Sequence, residues 1–91
     1  MRAVSLHVFG RVQGVGFRWL TKMVADQLGV TGFVKNEFDG SVYIEAAGEE
    51  EPLDKFIGAI KASPTPSGKV DRVDEKELSP LPSYRGFKVT G

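Results

Sequence analysis

The chain has 91 residues, 41% of them hydrophobic and 26% charged. That composition fits one globular domain and leaves no room for a second core. There is no cysteine, which excludes disulfides, thiolate zinc sites and a cysteine nucleophile and fits a cytoplasmic setting. Twelve Lys and Arg balance twelve Asp and Glu, and no dense basic stripe appears, so no nucleic-acid partner is expected. No membrane association is expected either. No apolar run is long enough to span a bilayer, and the apolar stretch after Arg2 alternates through Ser5 and His7 rather than forming a signal peptide. The balance of charge is uneven along the chain. Residues 1–36 carry five Lys/Arg against one acid, Asp26, a local charge of +4 that the remainder offsets. Such a region attracts small anions.

Residues 3–9 read as a strand, with Val4, Leu6 and Val8 on one face and Ser5, His7 and Phe9 on the other. A glycine-punctuated turn follows, Gly10-Arg11-Val12-Gln13-Gly14-Val15-Gly16. From Phe17 to Leu28 the apolar residues Phe17, Leu20, Met23, Val24 and Leu28 recur at helical spacing. Trp19 reads as packing at the edge of that face, and Gly29 fits the left-handed position that ends a helix. Val30 to Asn36 is a second strand, Asp39-Gly40 a hairpin turn, and Ser41 to Ala47 a third strand with Val42, Ile44 and Ala46 on one face. Pro52 fits the first position of a second helix. Glu49, Glu50 and Glu51 complement its dipole, and Leu53, Phe56, Ile57 and Ile60 form its apolar stripe. The loop from Ser63 to Gly68 carries two prolines and stops that helix. Val70 to Leu78 is so highly charged that it reads as an edge strand. After a second proline-marked loop, Phe87 and Val89 mark a last short strand.

The order is β-α-β-β-α-β plus a terminal strand, and each helix has one apolar face. The compact solution is an α+β fold, the ferredoxin-like α/β sandwich, with both helices on one face of a mostly antiparallel sheet and one domain over residues 1–91. Fold does not assign function here, because many chemistries use this arrangement.

The glycine turn is the place to look for a site. A strand that ends in glycines and opens into a helix can bind an anion through backbone N–H groups and the positive end of the helix dipole. Gly14 and Gly16 permit positive φ, the N–H groups of Gln13 to Phe17 supply the nest, and the fork of Arg18 can grip two phosphate oxygens. Two nucleotide motifs fail. The Walker pattern needs Gly-Lys-Ser/Thr where Gly16-Phe17-Arg18 stands, and the dinucleotide fingerprint needs glycine where Trp19 stands. The loop holds no Ser, Cys, His or Asp to form a phosphoenzyme. His7, the single histidine, reads as an exposed sheet-face residue and cannot build a metal site, so neither metal nor cofactor is expected. In isolation Arg18 reads as a surface ion-pair residue and Asn36 as a turn residue.

Together the motifs resemble the acylphosphatase family. Gly10-x-Val12-Gln13-Gly14-Val15-x-Phe17-Arg18 is similar to its signature loop, and Gly32-x-Val34-x-Asn36 followed by Asp39-Gly40-x-Val42 to its second signature. The likeness continues through Ala25, Leu28-Gly29, Gly48, Phe56, Val70-x-x-Val73 and Phe87-x-Val89. It departs at Phe33, Lys35 and Tyr43, positions that bear on substrate preference. The resemblance implies metal-independent hydrolysis of the carboxyl–phosphate bond of small acyl phosphates, with Arg18 as phosphate ligand and Asn36 orienting the attacking water. Gln13, Gly14, Val15, Gly16 and Phe17 would hold the phosphate with Arg18. The alternative is an RNA- or ligand-binding ferredoxin-like module without catalysis, with Phe9 and Tyr43 on the open sheet face. A domain detached from a larger carbamoyl-transfer protein is a third possibility, against which the presence of both first and last strands favours an independent monomer.

Overall fold

Alternation decides the central strand. In the computed structural model, which describes residues 1–91, β1 (Arg2–Arg11) buries Val4, Leu6 and Val8 against the helices. It continues two residues beyond the expected stretch because Gly10 and Arg11 still pair with β4 (Lys69–Glu77). On its other side β1 pairs antiparallel with β3 (Val42–Gly48), Leu6 opposite Ile44. β2 (Thr31–Asn36) pairs antiparallel with β3, joined to it through the Asp39-Gly40 turn. β4 lies at one edge, and β5 (Phe87–Thr90) at the other, in the order β4-β1-β3-β2-β5. β5 runs parallel to β2. The sheet is therefore mixed, antiparallel in its four-strand ferredoxin-like part and parallel at the added edge.

α1 (Phe17–Leu28) has the expected bounds and ends on Gly29 at φ 70°. Its buried face differs from the expected stripe. Phe17, Thr21 and Ala25 are buried, whereas Met23 is 44% exposed. The small side chains of Thr21 and Ala25 let the helix axis approach the sheet, and Val24 and Leu28 pack at its flank. In α2 (Glu50–Lys61) all four stripe residues, Leu53, Phe56, Ile57 and Ile60, are buried. Pro52 takes the third helical position rather than the first. It costs no hydrogen bond there, because the first bonded N–H is that of Leu53, on the Glu49 carbonyl.

One cluster of 16 buried residues fills the space between sheet and helices, with Phe17, Phe56, Leu6 and Ile44 among its largest members. No helix covers the opposite face of the sheet, where Ser5, His7, Phe9, Phe33, Tyr43 and Glu45 lie. No helix is long and apolar enough to cross a membrane.

Candidate active site

The turn between β1 and α1 begins with a distortion of the ladder. Register shifts between Phe9 and Gly10, and a Cβ on Gly10 would run into the Lys69 carbonyl. A bulge at this point bends the strand end away from the sheet and frees the loop. Gly14 (φ 76°) and Gly16 (φ 79°) then hold left-handed backbone. A Cβ on either would meet nothing within 4 Å, so conformation and not space requires glycine there. Val12 and Phe17, each 1% exposed, anchor the two ends in the core. Between them the N–H groups of Gln13, Gly14, Val15, Gly16 and Phe17 have no backbone acceptor. Gly16 is the N-cap of α1 and brings no side-chain oxygen to close that end.

Two neighbours hold the loop in shape. Thr65, buried in the proline loop, donates its hydroxyl to the Val15 carbonyl at 3.1 Å. The Gln13 amide nitrogen donates to the carbonyls of Glu37 and Ser41, both at 2.8 Å. The side chain of Gln13 thus ties the loop to the β2–β3 hairpin and fixes Asn36, which precedes Glu37. The hairpin is closed in turn by the Glu37 N–H on the Ser41 carbonyl at 2.8 Å. Asp39 accepts the Ser41 hydroxyl and N–H, and these bonds hold its carboxyl below the usual carboxylate range. His7 Nε2 lies 2.6 Å from Ser41 Oγ. His7 is accordingly a half-buried partner of the hairpin rather than the exposed residue its alternation suggested. Because Ser41 gives its proton to Asp39, the proton between Ser41 and His7 is the imidazole's.

A cavity of about 200 Å³ opens between the loop, the end of β2 and β5. Gly14, Gly16, Phe17 and Arg18 line it from the loop side, and Asn36 lines it from β2. Gln13 and Val15 are not part of its wall, because their side chains serve the hairpin and the core. Arg18 donates one guanidinium nitrogen to the Thr90 carbonyl at 3.3 Å, which leaves its remaining donors free. Asn36 Oδ1 is buried and has no hydrogen-bond partner. Trp19, expected to pack, is instead 61% exposed and forms the cavity's apolar rim with Val89. Phe17 and Thr21 occupy the inner face of α1, and Trp19 is turned outward from them. Val89, Thr90 and Thr65 were not legible as site residues, since each reaches the site through tertiary pairing.

Fold and site together define a small ferredoxin-like domain with an N–H-rich turn and, at one helix start, a guanidinium most of whose donors are free. The sequence pattern of the acylphosphatase family matches residues 4–89. An acylphosphatase of Latilactobacillus sakei is 60% identical over 90 residues, covering 99% of this chain and 98% of that protein. The crystal structure of the acylphosphatase from Bacillus subtilis superimposes with a TM-score of 0.94 at 38% identity, over the full length of both chains. HypF of T. kodakarensis is also similar, with a TM-score of 0.85 and 34% identity, but this chain covers only 12% of it. The chain belongs to the acylphosphatase family and is a hydrolase of that type.

Proposed function

We propose that the protein is a single-domain, monomeric, cytoplasmic enzyme that cleaves the carboxyl–phosphate bond of small acyl phosphates without a metal. The phosphate sits in the turn, held by the N–H groups of Gln13 to Phe17 and by Arg18. Water held by Asn36 attacks phosphorus in line, and the phosphorus–oxygen bond to the acyl group breaks. The carboxylate leaves with the bonding electron pair, and the proton of the water passes to a phosphate oxygen. A carboxylate is a good leaving group and needs no acid to protonate it. Catalysis therefore reduces to positioning and to stabilising charge on the equatorial oxygens. Trp19 and Val89 supply an apolar surface for the acyl portion.

The observation that carries this reading is the Asn36 amide. Asn36 lines the same cavity as Arg18 and as Gly14, Gly16 and Phe17, whose N–H groups are unpaired, and its amide oxygen has no partner within the protein. Donors on one wall suit an anion, and an acceptor on the other suits a water proton. The near-complete coverage of the Latilactobacillus sakei and Bacillus subtilis proteins supports a stand-alone domain over one cut from a HypF-like chain.

The test is hydrolysis of acetyl phosphate in excess EDTA. Arg18→Ala is expected to lower kcat/KM by roughly 1,000-fold or more while circular dichroism stays unchanged. Activity that depends on added metal, or a variant that keeps its rate, would refute the mechanism.

A further inference from the structure

The largest cleft on the molecule is not the one beside the loop. A cleft of about 510 Å³ lies on the open face of the sheet, between β2, β5 and the segment that leads into β5. β2 turns Val34 toward the core and Phe33 and Lys35 toward this cleft, and β5 turns Phe87 inward and Lys88 and Thr90 outward. The sheet thus separates this cleft from the Arg18–Asn36 cavity, and of its residues only Thr90, through its backbone carbonyl, touches the proposed hydrolytic site.

Its walls are of three kinds. Phe33 and Tyr84 form an aromatic side, their rings edge to face with centroids 6.2 Å apart. Tyr84 is held there because its hydroxyl donates to Glu45 at 2.6 Å, while Tyr43 donates to the other oxygen of the same carboxylate at 2.7 Å. Both oxygens of the Glu45 carboxylate are therefore engaged by phenols. Cations form the second side. Lys35 is 3.8 Å from Glu37, a long pairing, and Arg85 and Lys88 pair with no acid in the protein. Ser83 and Thr90 complete the lining and bring hydroxyl groups to it. A cavity of several hundred cubic ångströms that combines aromatic walls with a few convergent charges has the character of a small-ligand site.

We propose that this cleft binds a phosphomonoester that carries a heteroaromatic ring, the chemistry of a nucleoside monophosphate. The base lies on Phe33 beside Tyr84, the sugar faces the hydroxyls, and the phosphate is held by Arg85, Lys88 and Lys35. Arginine and lysine together suit a dianion, the fork gripping two oxygens and the ammonium serving as a point charge. The neutral balance of the chain and the confinement of these cations to one pocket favour a single nucleotide over a polymer.

The experiment is an amide NMR titration of the full chain with adenosine 5′-monophosphate. Saturable shifts are expected at Phe33, Lys35 and residues 84–90, unchanged in Arg18→Ala. In the double variant Arg85→Ala/Lys88→Ala binding is expected to weaken by about tenfold or more, because two charge-assisted contacts are lost. Phe33→Leu is expected to weaken adenosine 5′-monophosphate but not inorganic phosphate. Shifts centred on Gly14 to Arg18 that vanish in Arg18→Ala would overturn the proposal, since the ligand would then be occupying the phosphate loop. Equal affinity for inorganic phosphate would remove the aromatic part. Saturation by a short single-stranded RNA, without any by the mononucleotide, would replace it with a nucleic-acid surface.

Discussion

Asn36 ends β2 with its amide oxygen buried and unpaired. Leaving such an acceptor without a partner costs about 1–3 kcal/mol, a cost that a hydrogen bond from a bound water would offset. Asn36 is placed by the hairpin that Gln13 grips, so two hydrogen bonds tie its position to that of the loop. Arg18 differs, because it reaches its position through the Thr90 carbonyl on another strand. The two residues therefore separate in kinetics. In the proposed mechanism Asn36→Ala removes the group that orients water but leaves the phosphate contacts, so kcat is expected to fall by about 100- to 1,000-fold with KM little changed. The variant should be no less stable than the parent, since it deletes an unpaired buried acceptor. Asn36→Asp sets a negative charge beside the incoming phosphate and is expected to raise KM as well. Steady-state kinetics with acetyl phosphate, beside thermal melts, checks both. An Asn36→Ala variant that raises KM and spares kcat would make Asn36 a binding residue instead.

Between strand and helix, two glycines do different jobs within one turn. Gly10 meets the Lys69 backbone at the bulge, where any Cβ collides. Gly16 faces open space but holds φ 79°. Gly16→Ala is therefore expected to cost about 1–2 kcal/mol, the penalty of left-handed backbone, and to leave a folded protein. Gly10→Ala is expected to cost more, since β1 and β4 must separate to admit the methyl. Urea denaturation ranks the two, and equal effects would show that the bulge yields easily. The same division explains what could be read in advance. The α1 bounds, the Gly29 cap, the α2 stripe, the Asp39-Gly40 turn and the β4 edge all follow from local periodicity and turn chemistry. The Gly14–Arg18 turn was legible as an anion-binding candidate from its glycines, whereas Asn36 read as a turn residue and entered only through the resemblance to the acylphosphatase family; both line one cavity. The parallel pairing of β5 was not legible, because nothing within Phe87–Thr90 names its neighbour. With it went the Thr90 carbonyl that anchors Arg18 and the Val89 rim. The outward turn of Trp19 was hidden for a similar reason: helical spacing gives a face, while the sheet decides which residues of that face it takes.

Across the whole molecule, the uncovered sheet face is held together by polar contacts and rings where the other face has a core. Glu45 accepts from Tyr43 and Tyr84, the only two tyrosines of the chain, and so fastens the segment before β5 across β3. Burial first, and then the bond to the Glu45 carboxylate, together raise the Tyr43 phenol from 10.0 to about 12. Tyr84 is raised for the same two reasons, burial first. The sign of the linkage is fixed by these directions. The unfolded chain loses its tyrosine protons near pH 10, while the folded chain keeps them to about 12. The stabilisation is thus complete below pH 10 and is lost as pH rises through the folded values. The tyrosinate absorbance of the native protein is expected to appear late and to coincide with alkaline unfolding. Urea midpoints are expected to begin falling near pH 10, before any tyrosinate forms in the folded state. Glu45→Gln removes the carboxylate but leaves the burial. Its phenols should ionise at lower pH than in the parent, though still above the ordinary value, and its alkaline loss of stability should span a narrower range. Tyrosines that titrate near pH 10 in the folded parent would show that Glu45 does not hold them. Because β5 follows directly from the fastened segment and its Thr90 carbonyl carries Arg18, acetyl phosphate hydrolysis should fail over the same alkaline range as the fold.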